Sequence, residues 1–122
     1  MEIKLVKRND YNGIIVAMLK GVIDGESSQV FEKMIIDQIA AGEKNFAINL
    51  KDADYVTSAG LRSFLVIGKL LKIRRGHIAL TNFNESVCEV LKMMNFDSLF
   101  AMYDTDEEAF EQMCADSRET IF

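Results

Sequence analysis

The sequence predicts an α/β domain with a mixed, mostly parallel sheet and helices packed on it, in the order β-β-α-β-α-β-α-β-α. Three observations predict it. Short apolar runs such as Ile14–Leu19 and Phe46–Leu50 are nearly continuous, as expected of strands buried on both faces. Segments with helical apolar spacing alternate with them, an arrangement that requires parallel pairing through crossovers. The first two strands are separated only by Asp10-Tyr11-Asn12-Gly13, whose Asn-Gly pair is a strong turn signal, so they form a hairpin.

Taken in order, Ile3–Lys7 roughly alternates apolar and charged residues and reads as a one-sided edge strand. Ile14–Leu19 is an interior strand, and Gly21-Val22-Ile23-Asp24-Gly25 reads as a flexible loop. From Ser27 or Ser28 to Ala41 the pattern is helical, with Phe31, Met34, Ile35 and Ile39 on one face and Gly42 as a stop. Phe46–Leu50 is a buried strand, Lys51–Thr57 a loop, and Ala59–Arg75 a second helix ended by Gly76. His77–Thr81 is a strand and Glu85–Met94 a helix carrying Val87, Val90, Leu91 and Met94. Leu99–Tyr103 is the last strand. Asp104–Glu108 opens an acidic-start helix with Phe110 and Met113, its carboxylates complementing the helix dipole. Asp116–Phe122 has too little periodicity to assign.

The 122 residues suit one domain, 1–122, and the 49% hydrophobic content supplies a core. The net charge of −5 argues against nucleic acid as the main partner. No stretch is long and apolar enough for membrane insertion, and Met1-Glu2-Ile3-Lys4 reads as the start of a strand rather than a targeting segment. Cys88 and Cys114 lack CxxC spacing and are expected to be small buried hydrophobes in a reducing cytoplasm.

Chemistry-bearing motifs are sparse. There is neither a GxGxxG nor a GxxxxGK[ST] pattern, and no cofactor is implied. A Ser58/His77/Asp triad can be drawn, but the GxSxG elbow is missing. A metal would need carboxylates alone, from Asp52, Asp54, Asp104 and Asp106, at loose spacings better read as solvated loop. No catalytic, cofactor-binding or metal residue is assigned.

The segment Tyr55-Val56-Thr57-Ser58-Ala59-Gly60-Leu61-Arg62 stands out. It places Ser58 where an apolar strand gives way, through a short loop, to an apolar helix, with small residues after it. A serine there can cap free backbone N–H groups, and the same position tolerates a phosphate. From the residues alone, Ser58 is either a plain N-cap or a phosphorylation site, with Thr57 the competing acceptor. Arg62, one turn on, is in position to reach a phosphate. Asp24 is either a loop carboxylate or a partner contact. The second helix carries more than one apolar stripe, which is either a wide core face or partly a docking surface. Gly68 within it costs about 1 kcal/mol against alanine, which implies a packing reason.

These segments together resemble the STAS domain of bacterial anti-sigma-factor antagonists. Gly21-Val22-Ile23-Asp24 is similar to that family's loop motif, Phe46–Ala53 to its central strand and loop, and Tyr55–Leu61 to its phosphorylation signature. Phe83–Val87 with Val90-Leu91 resembles the entry to its third helix, Asn95–Phe100 the approach to its last strand, and Asp106–Ala109 its final helix. Two positions depart: Thr57 stands where many members carry aspartate, and Val22 where an acidic residue is common. The resemblance implies a binding module, not an enzyme. Its unphosphorylated form would bind an anti-sigma factor that is also a serine protein kinase and so free a sigma factor. Phosphorylation, carried over to Ser58, would end binding, and a metal-dependent serine phosphatase would restore it. Asp24, Thr57, Ser58, Ala59, Gly60 and Arg62 are the expected partner-binding set. The other reading of the same fold is an unphosphorylated adaptor subunit of a lipid-transport or signalling assembly. A small hydrolase using Ser58 is a third.

Overall fold

A computed structural model describes the backbone of residues 2–119 and the side chains of residues 2–114. The elements are β1 (Glu2–Arg8), β2 (Ile14–Ile23), α1 (Gly25–Ala40), β3 (Asn45–Val56), α2 (Ser58–Ile73), β4 (His77–Thr81), α3 (Glu85–Met93), β5 (Ala101–Tyr103) and α4 (Asp106–Glu119), with 3-10 turns at Asn9–Tyr11 and Phe96–Ser98. The sheet order is β1-β2-β3-β4-β5. β1 and β2 are antiparallel, and every later pairing is parallel. The predicted fold class and element order are those observed.

Alternation along the strands sends side chains into two separate cores. Ile15, Ala17 and Leu19 of β2 and Phe46, Ile48 and Leu50 of β3 meet Phe31, Ile35 and Ile39 of α1, Leu61, Phe64, Ile67 and Leu71 of α2, and Val87 and Leu91 of α3. Their neighbours Ile14, Val16, Ala47 and Ala79 face the other way, onto Ala109, Phe110 and Met113 of α4. The sheet is therefore covered on both faces, which is why its central strands read as unbroken apolar runs.

The largest departure from expectation is strand length. Neither Gly21–Gly25 nor Lys51–Thr57 is a loop: β2 and β3 stay paired as far as Ile23 opposite Val56. Two irregularities, between Met18 and Lys20 and between Gly21 and Val22, each put an extra residue on β3. Ala53 and Val56 are both buried although three residues apart. That spacing breaks the period of two by which a strand is recognised.

Helix boundaries shift for local reasons. α1 begins at Gly25, ahead of the expected Ser27, because Asp24 caps it: its Oδ1 accepts from the Ser27 N–H at 2.9 Å while the Ser27 hydroxyl accepts from the Asp24 N–H at 3.1 Å. α1 stops before Gly42, which has φ 105, as expected. At the end of α2 the left-handed residue is Arg75, φ 58, not Gly76. Gly76 is small because a Cβ there would lie 2.3 Å from the Lys44 carbonyl oxygen. α3 stops at Met93, and Leu99 and Phe100 precede β5 instead of belonging to it. α4 starts at Asp106, with the Thr105 hydroxyl accepting from the Glu108 N–H at 3.2 Å. It runs to Glu119, where the sequence allowed no assignment; residues 120–122 lie outside the described residues. Cys88 and Cys114 are free and half-buried rather than buried, and Cys114 Sγ accepts from Asn12 Nδ2 at 3.5 Å.

Candidate functional site

The carboxyl ends of β2 and β3 lie side by side, which brings the starts of α1 and α2 together. Thr57, the single residue between β3 and α2, organises the junction. Its N–H and its hydroxyl both donate to the Ile23 carbonyl oxygen, at 3.0 and 2.8 Å. The same Oγ1 accepts from the Gly60 N–H at 3.3 Å. Thr57 is thus the N-cap of α2, and the expectation that Ser58 caps it is overturned. The hydroxyl of threonine both donates and accepts, so one side chain ties the end of β2 to the first turn of α2.

Ser58 is consequently the first helical residue. It is exposed, and its hydroxyl bonds to no described residue. The first turn of a helix leaves its leading N–H groups without intrahelical acceptors. Thr57 Oγ1 satisfies that of Gly60, leaving those of Ser58 and Ala59 at the helix start with no acceptor among the described residues. Gly60 is packed flat on the strand end: a Cβ there would stand 2.7 Å from Ile23 Cγ2 and 2.9 Å from the Ile23 carbonyl oxygen. Only glycine lets α2 start this close to β2.

Asp24 sits next to this junction as the cap of α1, so its carboxylate is neither an idle loop group nor buried. The Ser27 backbone N–H, and then the Ser27 hydroxyl, hold it below the usual aspartate range. It is therefore ionised at neutral pH, at the edge of the Ser58 surface. Ala59 is half-buried against α1, where a Cβ on Gly25 would lie 3.7 Å from its methyl. Arg62 is exposed one turn beyond Ser58, on the same helix face, and makes no ion pair with any described residue. It borders a shallow groove between α1 and α2 with Gln29, Glu32 and Ser63. All six predicted residues, Asp24, Thr57, Ser58, Ala59, Gly60 and Arg62, thus fall around one junction.

Three features here were not visible in the sequence. Val22 and Tyr55 stand opposite each other on the two strand ends, 45% and 55% exposed, and add apolar surface below the serine. Ser63, which is buried, donates to Glu32 Oε2 at 3.0 Å and to the Ser28 carbonyl at 3.3 Å, locking α1 to α2. Asn84 caps α3 and donates to the Ala53 carbonyl at 2.6 Å, anchoring the extended part of β3. Each depends on a residue brought from a distant part of the chain, and a pattern search has no access to that.

The catalytic and metal alternatives gain no geometry. His77, the one histidine, pairs with Asn45 at the start of β3, whereas Ser58 lies two residues past the end of that 12-residue strand. At about 3.3 Å per residue the two lie roughly 35 Å apart, so no triad forms around Ser58. Asp106 is held by Asn49 and Asn82, each donating at 2.9 Å, and by the Thr81 hydroxyl. This cluster fixes the start of α4 to the sheet. Among the described residues no three His, Cys, Asp or Glu side chains are grouped to hold a metal. No described helix is long and apolar enough to cross a membrane.

The family profile described as the STAS domain matches residues 6–109. The chain belongs to the STAS domain family. It is similar to BtrV of Bordetella bronchiseptica, provisionally named an anti-sigma factor antagonist, with 31% identity over 98 residues that cover 80% of this chain and 84% of the relative. A protein of Thermotoga maritima, provisionally named the same way, has a crystal structure that superposes with a TM-score of 0.84 at 26% identity, covering 91% of this chain and 93% of that one. The phosphorylated form of the Bacillus cell-fate determinant SpoIIAA shares the fold, with a TM-score of 0.72 at 20% identity over 91% of this chain and 98% of that one.

Proposed function

We propose that this STAS domain is a phospho-switched binding protein that antagonises an anti-sigma factor. The unphosphorylated form binds a partner that is both anti-sigma factor and serine kinase and so frees its target. Phosphorylation of Ser58 ends that binding, and a metal-dependent serine phosphatase restores it. The protein acts by binding rather than by catalysis. The observation that carries the reading is the contrast between two neighbouring hydroxyls. Ser58 Oγ is exposed and bonds to no described residue, whereas Thr57 Oγ1 is committed to the Ile23 carbonyl and the Gly60 N–H. A phosphate on Thr57 would remove the donor and force an anion against a carbonyl oxygen. A phosphate on Ser58 disturbs no bond. The names of the relatives support the same reading, as does the existence of a phosphorylated form of SpoIIAA.

The switch follows from charge and shape. A phosphate adds about −1.5 to −2 charges at pH 7. The unpaired N–H groups of the first turn of α2, its dipole and Arg62 receive it, so the fold is kept. The cost falls on the partner. A surface fitted to Ser58, Ala59 and Gly60 has no room for the group, and a partner attracted by Asp24 and Glu26 meets a changed field. Losing about 3 kcal/mol of interface energy lowers affinity on the order of a hundredfold.

The test is peptide mass spectrometry on protein from its native cells, with and without serine phosphatase treatment. Phosphatase-sensitive phosphate on Ser58 supports the switch. No phosphate at Ser58 across growth, stress and starvation rejects it in favour of the adaptor reading. In pull-downs Ser58→Ala should hold the kinase constitutively and Ser58→Asp should release it.

A further inference from the structure

The far end of α2 carries a second surface of opposite charge. Residues 69–77 contain Lys69, Lys72, Arg74 and Arg75 and no acid, so the rest of a chain with net charge −5 carries −9. All four cations are exposed, and neither ion pair of the described residues involves any of them. A helix C-terminus attracts cationic charge equivalent to only about half an elementary charge. Four cations exceed that, so the dipole does not account for them. Lys44, also exposed, joins them because its carbonyl accepts the His77 N–H at 2.8 Å.

Beside these cations lies a concave apolar groove between α2, β4 and the turn before β5. Its floor is made by Leu65, Leu71, Ile78 and Phe100, and Lys69 and Lys72 stand at its edge. The groove exists because residue 68 is glycine. A Cβ there would lie 2.8 Å from Phe100 Cε1, so the ring occupies the space a side chain would take. Phe96 stacks behind it with ring centroids 5.2 Å apart. Leu99, which lines the groove and is 62% exposed, extends the apolar surface outward.

We propose that this groove is a second docking surface, for an acidic protein segment that seats apolar side chains on the Leu65–Phe100 floor while its carboxylates pair with Lys69, Lys72, Arg74 and Arg75. The charge selects the occupant, since the segment must be anionic, and the recessed floor selects its shape. A flat anionic bilayer would reach the lysine heads but not Leu65 and Ile78, which are half-buried on the recessed floor and within reach only of a narrow segment. The Ser58 junction lies at the other end of the same helix, about 10 Å along the axis from Leu65 and about 21 Å from Lys72. One domain could therefore hold two partners of opposite charge at once.

The test is an NMR titration of the isotope-labelled full chain with a synthetic peptide of alternating glutamate and leucine residues. Amide shifts should concentrate on Lys69, Lys72, His77, Leu99 and Phe100, and affinity should fall steeply with added salt. Lys69→Glu with Lys72→Glu should weaken binding at least tenfold, and Leu99→Ser severalfold. All three residues are exposed, so the fold should survive. Ser58→Asp should bind the peptide as the parent does, which separates this surface from the switch. Equal binding by the charge-reversed variant, or shifts centred on Ser58, would overturn the proposal. So would capture by phosphatidylglycerol vesicles with no response to the peptide.

Discussion

Replacing Thr57 by valine tests which of two adjacent hydroxyls builds the junction. Valine matches the shape of threonine but can neither accept from the Gly60 N–H nor donate to the Ile23 carbonyl. Loss of an N-cap costs about 1 kcal/mol. Loss of the second bond adds about 1 kcal/mol, and not a full desolvation penalty, because the Ile23 oxygen keeps the Thr57 N–H at 3.0 Å. The expected total is about 2 kcal/mol. With an unfolding entropy of about 2.1 cal/mol/K per residue, a chain of 122 residues should lose roughly 8 °C in Tm. Thr57→Ser keeps both bonds and should lose under about 1 kcal/mol. Thr57→Asp restores only the acceptor and sets a carboxylate near a carbonyl oxygen, so it should fall between the two. Ser58→Ala removes an unbonded hydroxyl and should change stability by less than about 0.5 kcal/mol. Differential scanning calorimetry with urea melts on the four variants measures the series. The reasoning is refuted if Thr57→Val melts with the parent, or if Ser58→Ala is the more damaging change.

Asp24, whose folded pKa is lowered by the Ser27 bonds, contributes stability that is present above its unfolded value of 3.8 and lost as pH falls through the folded value. Asp24→Asn keeps a cap but should flatten the pH dependence of the urea midpoint below about pH 4; an unchanged slope would mean that the cap carries no charge effect. Gly68→Ala gains helix propensity but must displace the Phe100 ring, 2.8 Å from the new methyl, and should destabilise by about 1–2 kcal/mol in urea melts. Gly76→Ala meets the Lys44 backbone instead of a mobile ring and should cost more, about 3 kcal/mol, by the same measurement. Phe110→Ala empties the centre of the smaller core and should cost about 3–5 kcal/mol by calorimetry, with α4 amides losing hydrogen-exchange protection first.

Glycines and caps show where local pattern stops being informative. Gly42 and Asn12-Gly13 signal turns correctly, because their left-handed backbone angles are properties of the residues themselves. Gly60, Gly68 and Gly76 are small for reasons lying 37, 32 and 32 positions away, at Ile23, Phe100 and Lys44. Propensity does not decide whether Thr57 or Ser58 caps α2, because the two are equivalent on that measure. The Ile23 carbonyl, which only Thr57 reaches, breaks that equivalence. The ends of β2 and β3 read as loops because the extra residues on β3 cancel the alternation that marks a strand.

The element order, the hairpin followed by parallel strands, and the position of Ser58 at the start of the second helix are legible in the chain alone. Those follow from periods of 2 and 3.6 residues, which neighbours along the chain are enough to express. The rest comes from tertiary contacts: among the described residues Thr57 is bonded and Ser58 is not, α4 covers the second face of the sheet, and Phe100 over Gly68 shapes a groove bordered by Lys69 and Lys72. Each of these depends on which distant group comes within bonding or contact distance, and that is set only when the sheet closes.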